Sequence, residues 1–190
     1  QPGFSGQAIH LQNTAGGTAS KYVRGPWSGA SNFTVSFWFN AQSYPAGTNG
    51  VIWYAYNSLV GVLLNPSGQI LYFAPNGTSS NILVATSSII SLNTWYHVYI
   101  IFQSNGTGSL FVNGTLVNSY INSGGIGTLT TTQFGIGVVD NNTTNAFNGY
   151  IDDLRIYNSA IPFHLLNAPQ NYRSVALAGT GQYALASAAS

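Results

Sequence analysis

The stretch FNGYIDDLRIYNSAI, residues 147–161, contains the pattern that decides the fold. A glycine and an aromatic residue precede Ile-Asp-Asp, and apolar and polar residues then alternate. That period of two predicts a half-buried β-strand over residues 149–157. On a regular strand Asp152 shares a face with Leu154 and Ile156, whereas Asp153 shares the opposite face with Arg155. The pattern therefore places one carboxylate on the apolar side of a strand.

Similar short runs of aromatic and β-branched residues recur along the chain, separated by clusters of Gly, Asn, Ser and Pro. This spacing is typical of a β-sandwich or barrel. The predicted strands are 7–11, 21–24, 32–40, 51–55, 59–64, 69–73, 82–86, 95–103, 109–112, 115–121, 133–138 and 149–157. The dipeptide Asn113-Gly114 predicts a type I′ turn, because both residues tolerate positive φ, and hence an antiparallel hairpin.

Alternation assigns the two faces of strands 32–40 and 95–103. One side of each strand is apolar, and we expect it to face the core. The residues on that side are Phe33, Val35, Phe37, Phe39, Tyr96, Val98, Ile100 and Phe102. The opposite side of strand 32–40 carries Thr34, Ser36, Trp38 and Asn40.

Three segments in order carry a family resemblance: SNFTVSFWFN (31–40), SLNTWYHVYIIF followed by GSLFVNGTLV (91–117), and FNGYIDDLRIYNSAI (147–161). Together they resemble the concanavalin A-like, laminin-G-like jelly-roll family over roughly residues 6–166. The resemblance implies an all-β, two-sheet antiparallel sandwich whose function lies in loops or on the concave face.

The end of the chain is expected to differ from the sandwich. At most one short helix is expected, near residues 162–167, since Pro162 suits a first helical turn. We assign residues 1–173 to the jelly-roll domain. Residues 174–190 are small and uncharged, and we interpret them as a tail, an added edge strand, an assembly segment or a linker.

Charge is the unusual feature of the composition. Only 4% of the 190 residues are Asp, Glu, Lys or Arg, whereas roughly 25% of the residues in an average domain are charged. The net charge is +1. Clustered Lys and Arg are needed to neutralise phosphates, so a nucleic-acid partner is disfavoured. No apolar run approaches the ~18 residues of a membrane helix, so membrane insertion is not expected. Cysteine is absent, which excludes disulfides and thiolate metal sites.

The few acids limit the chemistry that the chain can perform. The only ones are Asp140, Asp152 and Asp153. Hydrolysis of a glycosidic bond usually needs two carboxylates across a cleft, and adjacent Asp152 and Asp153 face opposite sides of a strand. The three histidines, His10, His97 and His164, lie in no catalytic motif. We therefore expect no enzyme activity and no catalytic residues.

Asp152 is the candidate metal ligand. In domains of the resembling family an acid at this position can help to hold a structural calcium ion. The Asp-Gly that often occurs early in the family is replaced here by Gln12 and Asn13. The alternative is a buried carboxylate that accepts loop amide hydrogen bonds, with no cofactor at all.

Six asparagines lie in Asn-x-Ser/Thr glycosylation motifs. They are Asn32, Asn76, Asn105, Asn113, Asn141 and Asn142. Most of them fall in predicted turns, where an attached glycan could project and hydrate a surface that lacks charge. Chance occurrence in a chain rich in Asn and Thr is the alternative.

Aromatic residues outside the assigned core are candidates for ligand contact, because Trp and Tyr stack on sugars or anchor interfaces. Trp53, Tyr54 and Tyr56 could form such a surface or simply pack within the sandwich. For Trp38 and Trp95, which lie inside strands, packing is the preferred interpretation.

Two functions follow from these observations. The first is a non-catalytic structural subunit of a glycosylated extracellular assembly such as a filament, sheath or virion, built as a homo-oligomer. The second is a secreted adhesion module that binds glycans or surface proteins. The scarcity of charge favours the first, since uncharged surfaces tend to associate.

Overall fold

The computed structural model describes residues 2–3, 6–56, 60–75, 81–87, 90–121, 131–138, 145–166, 172–177 and 183–187. The strands are β1 (Pro2–Gly3), β2 (Gly6–Gln7), β3 (Ile9–Leu11), β4 (Val23–Pro26), β5 (Phe33–Ala41), β6 (Gly50–Ala55), β7 (Val60–Leu64), β8 (Ile70–Pro75), β9 (Asn81–Ala85), β10 (Trp95–Phe102), β11 (Thr107–Val112), β12 (Thr115–Ile121), β13 (Gln133–Ile136), β14 (Gly149–Tyr157), β15 (Tyr172–Leu177) and β16 (Tyr183–Ser187). One helical turn, α1, spans Phe163–Leu166, which confirms the predicted short helix.

Two six-stranded antiparallel sheets form the jelly-roll sandwich, as predicted. Sheet 1 has the strand order β12-β11-β10-β5-β14-β3, and sheet 2 has the order β4-β13-β6-β7-β8-β9. Strands distant in sequence are therefore neighbours at the centre of sheet 1, where β5 pairs with both β10 and β14. This arrangement brings side chains from three separate segments onto one surface.

The main core lies between the two sheets. The apolar sides predicted for β5 and β10 face it, because Phe33, Phe39 and Phe102 are fully buried in the largest hydrophobic cluster. The rings of Phe33 and Phe102 stack at 4.3 Å, and Tyr72 of sheet 2 meets Phe102 edge-on at 5.2 Å. Aromatic contacts of this kind stabilise the sandwich beyond their buried area.

The hairpin predicted at Asn113-Gly114 is confirmed. Val112 pairs with Thr115, so the loop has two residues, and both have positive φ, +48° at Asn113 and +83° at Gly114. The turn also contacts the neighbouring strand, since the Asn113 side-chain oxygen accepts a hydrogen bond from the backbone N–H of His97 at 2.9 Å.

The chain separates into two compact units, Gln1–Ala160 and Ile161–Ser190. The first contains both sheets. The second contains α1 and the antiparallel pair β15–β16, so part of the predicted tail is a hairpin. The assignment of residues 174–190 as a separate tail or linker segment stays a prediction. No helix of the described residues is long and apolar enough to cross a membrane.

Candidate functional site

A β-bulge in β14 changes the side on which Asp152 lies. Asp152 pairs with Trp38 and Arg155 pairs with Ser36, so two residues of β14 stand opposite one residue of β5. Asp153, inside the bulge, has φ of +49°. The extra residue shifts the alternation, and Asp152 shares the side of Trp38, opposite the core. The prediction that Asp152 shares the apolar face of Leu154 and Ile156 is therefore wrong.

The surface of sheet 1 opposite the core, which we call the outer face, is organised in three rows. Paired residues in neighbouring strands share a face, so each row runs across β10, β5 and β14. Row 1 is Trp95, Asn40 and Tyr150; row 2 is His97, Trp38 and Asp152; row 3 is Tyr99, Ser36 and Arg155. Aromatic and hydrogen-bonding side chains thus alternate across this face. Tyr99, Ser36, Asn40 and Tyr150 are buried, whereas Trp38, Trp95, His97 and Asp152 are half-buried.

In row 1 a buried amide lies between two aromatic residues. Asn40 is only 3% exposed, and its Oδ1 has no hydrogen-bond partner among the described residues. The rings of Trp95 and Tyr150, from the strands on either side, approach to 6.4 Å between centroids. His10 of β3 stacks on the other side of Tyr150 at 4.2 Å, and its Nε2 lies 2.9 Å from Gln42 Oε1. An unpaired buried acceptor costs about 1–3 kcal/mol.

Rows 2 and 3 meet at His97. Its ring stacks on Trp38 at 4.9 Å, and its Nε2 lies 2.8 Å from Ser36 Oγ. Burial lowers the pKa of His97 below its ordinary value of 6.5, and the attraction of Asp153 and repulsion of Arg155 add smaller opposing effects. The neutral ring is therefore favoured, and it can exchange one hydrogen bond with the serine hydroxyl.

The charged groups of this face lie at its edge. Arg155 Nε donates to Asp153 Oδ1 at 2.8 Å, and the pair is partly exposed. Burial lowers the pKa of Arg155, but its hydrogen bonds to Asp153 and Tyr157 outweigh that effect and raise the pKa overall. Screening by solvent limits the contribution of such a pair to stability, so it serves as a polar contact beside the aromatic residues.

The carboxylates do not assemble a metal centre within the described part of the chain. No group of three or more His, Asp or Glu side chains lies close enough there to hold an ion. Asp152 Oδ1 instead accepts the N–H of Asp153 at 2.8 Å. A structural calcium ion at Asp152 stays an untested prediction, and Asp140 lies outside the described residues.

Asn13 joins the loop after β3 to the chain before β14. Its Nδ2 donates to the carbonyls of Lys21 at 2.8 Å and Phe147 at 2.9 Å. Its Oδ1 accepts the backbone N–H groups of Ser20 and Lys21, both at 2.9 Å. The amide, which both donates and accepts, satisfies four backbone groups that a carboxylate could satisfy only in part.

Trp53, Tyr54 and Tyr56, the aromatic residues predicted as ligand contacts, are buried, with exposures of 1%, 2% and 3%. A bulge between Val51 and Trp53 turns Trp53 into the main core. Tyr54 and Tyr56 belong to a separate buried cluster. Of the two alternatives that the sequence left open for these residues, this burial agrees with packing within the sandwich.

Trp38 and Trp95, interpreted from the sequence as packing residues, contact His97 and Tyr150 and are half-buried on the outer face. The alternation of β5 already places Trp38 with the polar residues, on the side opposite the core. The pairing of Asn40 with Trp95 and Tyr150 needs the order of three strands, which no local pattern contains.

The glycosylation motifs differ in their surroundings. Asn105 lies exposed in a turn, where its Oδ1 accepts the N–H of Thr107 at 2.9 Å. Asn113 is exposed at the hairpin, whereas Asn32 is half-buried and its Oδ1 accepts the N–H of Ser104 at 2.9 Å. Asn76, Asn141 and Asn142 lie outside the described residues. Glycosylation at all six stays a prediction.

Comparison with known proteins gives one family and several similar folds. The laminin-G-type model described as "Concanavalin A-like lectin/glucanases superfamily" matches residues 13–162. A search of curated proteins gives no match. A heptameric pentraxin of Limulus polyphemus is 16% identical to this chain, with a TM-score of 0.65. The alignment covers 92% of this chain and 90% of the pentraxin chain.

Two other solved structures have similar folds. Domain 4 of AbnA, an extracellular arabinanase of Geobacillus stearothermophilus solved with arabinotriose, is 22% identical with a TM-score of 0.67; the alignment covers 86% of this chain and 76% of that one. The binding domain of Paraclostridial Mosquitocidal Protein 1 is 16% identical with a TM-score of 0.70, over 87% of this chain and 43% of that one. At these identities the likeness concerns the fold alone.

Proposed function

The chain belongs to the concanavalin A-like lectin/glucanase superfamily, and on that premise we propose that it is a non-catalytic extracellular module that binds carbohydrate through the outer face of sheet 1. The observation that carries the proposal is the placement of half-buried Trp38 and Trp95 beside buried hydrogen-bonding groups on one face. Aromatic faces pack against the C–H side of a sugar ring, while neighbouring polar groups bind its hydroxyls. The arabinanase domain solved with arabinotriose supports a sugar as the ligand class.

The pair formed by Ser36 and His97 has the separation of a nucleophile and its base, so catalysis needs a specific argument. Ser36 is only 5% exposed, which restricts the approach of a substrate to its hydroxyl. Asp153, which could orient the histidine, is engaged by Arg155 instead. These contacts support a role in binding, and the Ser36→Ala variant should leave any background ester hydrolysis unchanged.

Extracellular location and glycosylation form part of the proposal. The glycosylation motifs support them, and among the described residues Asn105 and Asn113 are the two acceptors that are exposed in turns. A glycan there would hydrate a chain that has very little charge. Intact mass of the protein from a glycosylating secretory host, with the Asn105→Gln variant as control, tests this directly.

A structural role in a homo-oligomer or filament is the second candidate. Its support is β12, at one end of the strand order of sheet 1, where Leu116 is 52% exposed and Ile121 is 78% exposed. The strand contains no charged residue or proline, the features that commonly protect an edge from pairing. The Ile121→Lys variant should then dissociate the assembly seen in size-exclusion chromatography and negative-stain images.

A glycan array tests the binding proposal. The wild-type chain and the variants Trp38→Ala and Tyr22→Ala are compared on the same array; Tyr22 is an exposed aromatic residue preceding β4 of sheet 2. We expect carbohydrate binding by the wild type and by Tyr22→Ala, and loss of at least ten-fold in affinity for Trp38→Ala. Absence of wild-type binding, or equal effects of the two substitutions, would reject the outer face as the binding surface.

A further inference from the structure

We infer that the row 1 cluster, composed of Asn40, Trp95, Tyr150, His10 and Gln42, is a subsite in which Asn40 Oδ1 accepts a hydrogen bond from a hydroxyl of a neutral sugar. This inference rests on the proposed carbohydrate-binding function and specifies the ligand class at one part of that surface.

Asn40 Oδ1 is an acceptor that has no hydrogen-bond partner among the described residues. Asn40 is 3% exposed, and its side chain points away from the core because its neighbours Phe39 and Ala41 face into it. Buried polar atoms are nearly always paired in folded proteins, and exceptions call for an explanation. Leucine would fill a similar volume at this position without the unpaired oxygen. A ligand donor that reaches Oδ1 supplies the missing partner.

Two aromatic rings flank this acceptor. Trp95 and Tyr150 are the direct cross-strand neighbours of Asn40, and their centroids lie 6.4 Å apart at an angle of 48°. Tyr150 is only 8% exposed, so the C–H groups of a sugar would contact mainly the half-buried Trp95 ring while a hydroxyl points down to the amide. Trp95 is half-buried, so a ligand that displaces or extends its packing gains contact area.

The cluster contains no carboxylate, Lys or Arg, and His10 Nε2 lies 2.9 Å from Gln42 Oε1. An amide oxygen attracts a hydroxyl donor and repels the oxygens of a carboxylate or sulfate. The subsite should therefore take a neutral sugar unit in preference to a sialylated or sulfated one.

The experiment is a thermodynamic cycle on the full chain. The neutral oligosaccharide bound most tightly on the array, and its monodeoxy analogues, are titrated calorimetrically into wild type and Asn40→Leu. For wild type we expect one deoxy analogue to bind at least ten-fold more weakly than the parent sugar. For Asn40→Leu we expect the parent sugar to lose the same factor and the two sugars to bind equally.

Stability gives an independent readout. Removal of an unpaired buried acceptor should leave the thermal midpoint of Asn40→Leu equal to or above that of wild type, which separates loss of a contact from loss of the fold. If this variant fails to fold, Asn40→Ala, which likewise lacks an acceptor, replaces it in the same cycle. Preferential binding of sialylated or sulfated glycans would overturn the inference.

The outcomes distinguish the subsite from the broader proposal. Loss of binding in Trp38→Ala with retention within two-fold in Asn40→Leu would overturn the subsite and leave the proposed function standing. Binding that persists in both variants, or a wild type that binds no carbohydrate, would overturn both. Binding lost in Asn40→Leu, with the matching deoxy effect, supports both.

Discussion

Substitution of Asn13 by Asp replaces one side-chain nitrogen with oxygen and should destabilise the domain strongly for so small a change. In wild type, Nδ2 donates to the carbonyls of Lys21 and Phe147 at 2.8 and 2.9 Å. In the variant a carboxylate oxygen faces both carbonyl oxygens and repels them. The two hydrogen bonds donated by the backbone N–H groups of Ser20 and Lys21 are kept. The defect is therefore confined to two donor positions.

The magnitude follows from those two positions. Each lost hydrogen bond contributes about 0.5–1.5 kcal/mol, and a carbonyl that is left facing a carboxylate adds a further cost of similar size. The two positions together give about 2–6 kcal/mol, and we expect the lower half of that range because the Lys21 contact is exposed to solvent. For a chain of this length that corresponds to a fall in Tm on the order of 10 °C.

Urea unfolding followed by circular dichroism measures this difference. The Asn105→Asp variant is the matched control, because only its Oδ1 is used, as the acceptor of the Thr107 N–H. It should lie within about 0.5 kcal/mol of wild type. If Asn13→Asp unfolds at the same urea concentration as the control, the loop contacts of Asn13 contribute no net stability and the reasoning is refuted.

Three further predictions concern His97, the hairpin and metal dependence. Burial lowers the pKa of His97 below 6.5 in the folded protein, so the unfolded chain binds the proton more readily. The free energy of unfolding should therefore be constant above about pH 6.5 and decrease below it by at most ~1.4 kcal/mol per pH unit. Urea unfolding between about pH 8 and 5 measures this slope, which should be shallower in His97→Gln. Gly114→Ala should cost about 1–2 kcal/mol because φ is +83° there, whereas Asn113→Gly, which also allows positive φ, should cost less in the same assay. Dialysis against EDTA should leave Tm unchanged, because Asp152 Oδ1 is already bonded to the Asp153 N–H; a fall in Tm that added calcium reverses would instead establish a structural ion.

Most of the sandwich could be predicted because its strands obey simple periodicity. The strands from β3 to β14 lie at the predicted places, since each combines aromatic or β-branched residues with flanking Gly, Asn, Ser or Pro. The pairs β1–β2 and β15–β16 were not predicted. The former strands have only two residues each, and the latter are dominated by small residues that carry no alternation.

A bulge explains why the side of β14 on which Asp152 lies was predicted wrongly. Alternation assigns a face only while each residue opposes one partner, and bulges in β6 and β14 break that condition near Trp53 and Asp153. A pair of aspartates within a strand is a usable warning, because Asp tolerates positive φ better than most residues. The unpaired oxygen of Asn40 had no local signal, since its burial depends on rings from two other strands.

If the ligand binds on the outer face, the four tryptophans should respond differently to it, because they lie in two different parts of the domain. Trp27 and Trp53 lie in the main core, whereas Trp38 and Trp95 lie on the outer face. A ¹H–¹⁵N spectrum of the indole N–H groups, recorded while the array-selected neutral oligosaccharide is titrated, reads all four at once. Saturable shifts of the Trp38 and Trp95 signals, with those of Trp27 and Trp53 unchanged, are the predicted result. Saturable binding that leaves the Trp38 and Trp95 signals in place would contradict it.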